Sequence, residues 1–281
     1  MSAARTLLLT SLALVAFAGN SVLCRLALRD GAIDACSFTA LRLVSGALLL
    51  APLLLPCRSE QRPPWRPAAG LALFAYAIAF SLAYVTLPAG SGALLLFGCV
   101  QLTMLVAGFA RGERPSALGA TGIVAAMAGV VVLVLPGVQA PDPLGAALMA
   151  VAGIAWGAYS LLGRGARAPV TATARNFAIA APLAAAAMLV ASANASWSTT
   201  GVLLAVASGT ITSAVGYVLW YAALPSLTAT NAAVVQLAVP AIAAIGGALA
   251  LDEALDLRLL SAGGLTLGGI AVAILGRPKR R

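Results

Sequence analysis

Few side chains in this sequence can do chemistry, and most of those stand inside apolar runs. Three carboxamides, Asn20, Gln101 and Gln236, interrupt such runs. An amide both donates and accepts hydrogen bonds, which suits the ammonium and carboxylate of a zwitterion. A polar group in hydrocarbon is costly, so it marks a binding site or a bond between helices. Aromatic residues form the second set. Tyr76, Phe80 and Tyr84 recur every four residues and share one helical face. Trp156 stands near Tyr159, and Tyr217 near Trp220 and Tyr221. Rings at such positions stack on an apolar or aromatic solute. The expected substrate contacts are therefore Asn20, Tyr76, Phe80, Tyr84, Gln101, Trp156, Tyr159, Tyr217, Trp220 and Gln236.

The missing residues narrow the chemistry further. Histidine is absent, which removes Ser-His and Cys-His nucleophiles and the H-E-x-x-H zinc motif. Cys24, Cys36, Cys57 and Cys99 form no C-x-x-C pair, so they are expected to be small packing residues, with no metal or cofactor. All eight acidic residues fall in or beside gaps between apolar runs. An intramembrane enzyme lacks its nucleophile and base near the midplane, and no enzyme is expected. An exchanger of protons for cationic drugs lacks its mid-membrane carboxylate, and so does the obvious proton relay. Gradient-driven movement of solute fits better than tight proton coupling. Arg42 and Arg175 lie inside runs. Arg42 is able to attract a substrate carboxylate, but the expected behaviour is snorkelling to the headgroups.

The elements that position these groups follow from composition. Of 281 residues, 62% are hydrophobic and 9% charged, with a mean hydropathy of +1.01. Soluble domains are about 45–50% apolar and about 25% charged. Ten apolar runs occur, near 6–24, 35–57, 68–87, 91–110, 116–135, 144–163, 171–191, 200–224, 230–251 and 258–276. Each is close to the ~20 residues that cross a bilayer as a helix. The alternating segments of a barrel are not seen. The fold class is thus an all-α integral membrane protein with ten transmembrane helices. The first run has signal-peptide features around Ala16-Phe17-Ala18, but its apolar character continues to Cys24 and it is read as a retained helix.

The net charge is +9. The basic residues are scattered in short gaps, which favours a lipid surface over nucleic acid. With the N-terminus inside, twelve fall on the inner side. Only Arg25, Arg29 and Arg258 fall outside. That bias predicts both termini in the cytoplasm of a bacterial inner membrane. The terminal Arg277-Pro-Lys-Arg-Arg281 is expected to meet anionic lipid.

The two halves match. Tyr84, Pro88, Glu113 and Gly129 are followed in the same order by Tyr221, Pro225, Glu253 and Gly269. Arg42 and Arg175 occupy comparable places in the second and seventh runs. Residues 1–137 and 138–281 are therefore read as two five-helix repeats. Five is odd, so the second enters the membrane inverted. Inverted repeats around a midplane site mark secondary transporters that work by alternating access.

Several short motifs add to this. They are Gly19-Asn20-Ser21-Val22, Ala40-Leu41-Arg42-Leu43, Gly112-Glu113-Arg114, Trp156-Gly157-Ala158-Tyr159, and Pro240 with Asp252-Glu253. In these, over essentially its whole length, the chain resembles the EamA family of the drug/metabolite transporter superfamily. Within that family it is similar to exporters of aromatic amino acids. The resemblance implies ten helices around a cavity lined by the first, third, fourth, sixth, eighth and ninth. It departs from the family at Val100-Gln101, where a proline often matches Pro240. The implied function is export of amino acids, aromatic or large neutral ones, from the cytoplasm. The alternative is another metabolite or drug.

Pro88, Gly90, Gly92, Pro225 and Pro240 are the expected bending points for gating. Gly153-x-x-x-Gly157 and Gly264-x-x-x-Gly268 are expected to pack helices within a monomer. Reporter fusions test the topology. Fusions after residues 66 and 281 should report cytoplasm, and a fusion near residue 140 the opposite side.

Overall fold

A computed structural model of the chain describes residues 2–54, 65–110, 112, 115–137, 140–163, 168–191, 193, 195–227 and 229–276, without the side chains of 229–231 and 233. Ten helices in it are long and apolar enough to cross a membrane. They are α1 (Ala3–Leu28), α2 (Ala35–Leu54), α3 (Pro67–Tyr84), α4 (Ala89–Ala110), α5 (Ala117–Val134), α6 (Pro143–Gly163), α7 (Pro169–Val190), α8 (Thr199–Ser226), α9 (Val234–Leu251) and α10 (Leu257–Leu275). Among the described residues the only extended pairing is a single bridge, Ile33 to Trp197.

Local chemistry sets the helix starts. Ser2, Asp34, Ser116, Ser198 and Asp256 each accept a hydrogen bond from a backbone N–H one turn on. Such caps satisfy donors that helix geometry orphans. Pro67, Pro143 and Pro169 take first-turn places, where a missing N–H costs nothing. Within each helix the backbone satisfies itself, as hydrocarbon requires. Large apolar side chains such as Leu7, Val124, Leu203 and Leu249 stand exposed on the outer faces.

The packing repeats with a step of five helices. α3 packs on α6, and α8 on α1. α4 packs on α6, and α9 on α1. α3 packs on α7, and α8 on α2. The pairs α2–α7, α4–α9 and α5–α10 map onto themselves. This pseudo-two-fold pattern is that of two inverted five-helix repeats. Glycine makes the self-paired contacts close. A Cβ on Gly129 would strike Thr266, one on Gly122 the backbone of Ala273, and one on Gly269 the backbone of Ala126. α5 and α10 therefore meet backbone to backbone, which only small residues permit.

One expectation changes here. Gly264 and Gly268 have nothing within 4 Å of a built Cβ, so they face outward and pack no helix. The α10 contact falls one residue on, at Gly269, because the crossing with α5 selects a different stripe. Gly153 and Gly157 do lie against α4, at Cys99 and Thr103. The eighth run is not a uniform helix, since Ser208–Val215 is wound as a π-helix. The ninth breaks at Leu237, between helical pieces Ala229–Gln236 and Ala238–Leu251. Pro240 explains the break, because it has no N–H to give the Gln236 carbonyl.

Thermal melting in detergent tests this packing. Gly269→Leu should destabilise by about 1–3 kcal/mol, the usual cost of overpacking. Gly264→Leu should stay within about 0.5 kcal/mol, as surface changes do.

Candidate functional site

A cavity of about 400 Å³ runs into the centre of the bundle. Its wall takes Phe17, Asn20 and Ser21 from α1, Tyr76 and Phe80 from α3, and Leu96 to Met104 from α4. Trp156, Tyr159 and Ser160 come from α6, Thr212 to Leu224 from α8, and Gln236 from α9. These are the six helices that the resemblance implied. Two additions come from α2 and α7, namely Arg42 and Pro169. The cavity reaches the bundle end that carries Gly163, Pro169 and Leu224.

Polar groups gather at its inner end. Ser208 Oγ donates to Asn20 Oδ1 at 2.7 Å, and Thr212 Oγ1, which donates to the Ser208 carbonyl at 2.9 Å, lies 3.3 Å from the same oxygen. Asn20 Nδ2 donates to the Tyr76 hydroxyl at 3.3 Å. Arg42 Nε donates to Ser213 Oγ at 3.1 Å, and its Nη2 to the Tyr76 hydroxyl at 3.1 Å. Asn20 thus bonds α1 to α8 as well as lining the cavity. Arg42 is 1% exposed. Its guanidinium carbon lies 5.3 Å from the Tyr76 ring centre and 5.1 Å from that of Phe80. The expected snorkelling is wrong, because hydroxyls from α3 and α8 and two ring faces hold the charge inside. Arg175, its counterpart in α7, lies over the Trp65 ring at 5.2 Å and takes no part in the cavity wall.

The π-helical segment supplies Ser208, Thr212 and Ser213, which the sequence reading missed. The available signal was a run of small hydroxyl residues, Ser208-Gly-Thr-Ile-Thr-Ser213, inside an apolar helix. Gly209 lets this segment reach α2, since a Cβ there would strike the Arg42 carbonyl.

The aromatics form one connected group. Tyr76 lies 4.7 Å from Trp156, and Trp156 stacks on Tyr217 at 5.4 Å and 27°. Phe17 joins at 5.8 Å from Tyr217 and 6.0 Å from Trp220. Trp156 also touches Tyr159 at 5.1 Å. Tyr76, Phe80, Trp156, Tyr159, Tyr217 and Trp220 all line the cavity, with Gln101 and Gln236. Tyr84 does not. It is fully buried beyond Phe80, and its hydroxyl donates to the Ala89 carbonyl at 3.3 Å. Its position one helical turn past Phe80 puts it behind the cavity floor. Gly92 lies against its ring, and Gly90 against Ala244 of α9. Close approach is therefore a packing reason for both glycines.

The other end of the bundle is tied shut. Arg25 Nε donates to Glu253 Oε1 at 3.2 Å, and its Nη1 to the carbonyls of Tyr84 and Val85. Glu253 Oε2 accepts from the Ala89 N–H at 2.7 Å. One ion pair thus joins the ends of α1, α3 and α4 to the residues after α9. A second tie links Asp34 and Ala32 to Ser196 and Ser198 through backbone bonds of 3.2 and 2.9 Å. Burial works to raise the Asp34 carboxyl. Hydrogen bonds from Ser37, Ser196 and Cys36 outweigh it and hold the group below its usual range. Glu113, the counterpart of Glu253, lies outside the described residues.

A ten-helix bundle with repeated packing and a cavity reaching one end has the form of a membrane transporter. The EamA-like transporter family matches it twice, over residues 4–135 and 143–275, and the chain belongs to that family. It is 52% identical over 282 residues to the uncharacterized protein PA1977 of Pseudomonas aeruginosa, with 98% of each chain covered. A solved crystal structure superposes with a TM-score of 0.66 at 24% identity, covering 95% of this chain and 99% of the other. That likeness supports the fold alone.

Thiol labelling tests the closed end. In a cysteine-free background, Ser21→Cys should react from the open end only. Adding Glu253→Ala should expose it from the tied end, raising labelling there about tenfold, the effect of ~1.4 kcal/mol.

Proposed function

We propose that the protein exports amino acids, aromatic or large neutral ones, from the cytoplasm by alternating access. The observation that carries this reading is the aromatic group on the cavity wall, set beside Asn20, Gln101 and Gln236. Rings at Tyr76, Trp156 and Tyr217 offer faces for an aromatic side chain. The cavity size is in the usual range for small-molecule sites, about 300–1,000 Å³. Buried donors and acceptors at one end of it would orient the polar head.

In this reading the chain lies in a bacterial inner membrane with both termini inside. The end carrying Gly163, Pro169 and Leu224 then faces the cytoplasm, and the described state is open inward. The Arg25–Glu253 tie closes the outer side. Substrate enters, stacks between rings, and leaves when the halves 1–137 and 138–281 rock about the site. Pro240 and the break at Leu237 offer one bending point, with Pro88 and Pro225 at turns near helix ends. The same flat plates would also accept a nucleobase or another planar metabolite, which is the second reading.

Proteoliposomes decide between them. Labelled phenylalanine and tryptophan should leave inside-loaded vesicles faster than protein-free controls. Trp156→Ala and Tyr76→Ala should each slow that flux about tenfold or more, as loss of ~1.4 kcal/mol of binding would, without lowering the melting temperature below the assay range. Failure of phenylalanine, tryptophan and threonine to move rejects the amino-acid cargo. Competition by a nucleobase but not by amino acids would favour the second reading.

A further inference from the structure

Arg42 is the one charged residue on the described cavity wall. Its charge is buried in the bundle, and no carboxylate lies within ion-pair distance of it among the described residues. Nε and Nη2 are engaged by Ser213 and Tyr76, while Nη1 is buried without a hydrogen-bond partner. An unpaired donor on a buried cation is costly. The Tyr76 hydroxyl is the second clue. It accepts from both Asn20 Nδ2 and Arg42 Nη2, which uses its two lone pairs and leaves its O–H to donate. Arg42 Nη2 and the Tyr76 oxygen thus stand 3.1 Å apart, and each side chain has a donor to spare. Two adjacent donors, one of them charged, are a receptor for a carboxylate.

Among the described residues the wall offers an ammonium no charged partner. No Asp or Glu among the described residues lines the cavity, the Asn20 carbonyl already accepts from Ser208, and the Gln101 and Gln236 carbonyls are uncharged acceptors. A single cation also balances one negative charge and not two, which disfavours phosphate dianions. The rings of Tyr76 and Phe80 flank the guanidinium, so the body attached to the acid meets apolar and aromatic surface.

We infer that Arg42, helped by the Tyr76 hydroxyl, anchors a substrate carboxylate, and that the cavity takes monoanionic aromatic or large apolar carboxylic acids whether or not they carry an α-ammonium group. The inference rests on the cavity being the transport site, as proposed above, and it widens the cargo from amino acids to their des-amino analogues.

Equilibrium binding to the purified protein in nanodiscs tests it, with labelled 3-phenylpropanoate, phenylalanine and 2-phenylethylamine as probes at neutral pH. The wild type should bind 3-phenylpropanoate at least as tightly as phenylalanine, and 2-phenylethylamine about thirtyfold more weakly or worse. Arg42→Gln should weaken both carboxylates about thirtyfold and leave the amine unchanged, and Arg42→Lys should recover part of the loss. Equal binding of the amine and 3-phenylpropanoate by the wild type overturns the inference, as does unchanged carboxylate affinity in Arg42→Gln. If that variant fails to fold, the wild-type series still decides. Binding of 3-phenylpropanoate without phenylalanine would uphold Arg42 and reject amino-acid export. Binding of phenylalanine alone would do the reverse. Binding of none of the three overturns both.

Discussion

A guanidinium held in the middle of an apolar bundle constrains everything around it. Hydrocarbon offers no water to solvate the charge, so protein groups must do so. Arg42 finds a serine on α8, a tyrosine on α3 and two ring faces. Each partner depends on a further feature. Ser213 is delivered by the π-helical stretch of α8, whose close approach to α2 depends on Gly209 having no side chain. Tyr76 is steadied by Asn20, and Asn20 in turn by Ser208 and Thr212. The polar network is continuous across α1, α2, α3 and α8. It ties the first half of the chain to the second at the floor of the cavity.

The bundle is symmetric in packing and asymmetric in chemistry. Helix contacts repeat with a step of five, and Gly129 and Gly269 both stand in the α5–α10 contact. The polar residues do not follow. Arg42 lies on the cavity floor, while Arg175 lies over Trp65. Glu253 closes one end with Arg25. The cavity therefore reaches one end only, an asymmetry that the proposed alternating access would need. The polar closing contacts lie at helix ends, beside close packing of Gly90 on Ala244 and Gly92 on Tyr84.

Aromatic stacking and charge share the cavity. Trp156 bridges α3 to α8 through Tyr76 and Tyr217, so the rings that would hold a solute also pack the halves together. A solute entering between them would couple its own binding to the relative position of the repeats.

Much of the architecture was legible in the residues alone. Hydrophobic runs of membrane length need only local composition, and proline, glycine and charge clusters mark where they stop. The repeat was visible because its landmarks, such as Gly129 and Gly269, recur in order. The aromatic periodicity of α3 placed Tyr76 and Phe80 on one face correctly, because a regular helix carries side-chain direction along with it. It did not say where the cavity ends, and Tyr84 falls beyond it. Nor could spacing separate Gly264 from Gly269, because helices that are apolar all round show no preferred face. The fate of Arg42 was decided only by tertiary structure. A lone arginine in an apolar run snorkels or is solvated internally, according to what neighbouring helices bring to it. Here Ser213 and Tyr76, 171 and 34 residues away, arrive through a change of helical winding and a glycine contact. No local pattern encodes that meeting, because its energy lies between helices and not within them.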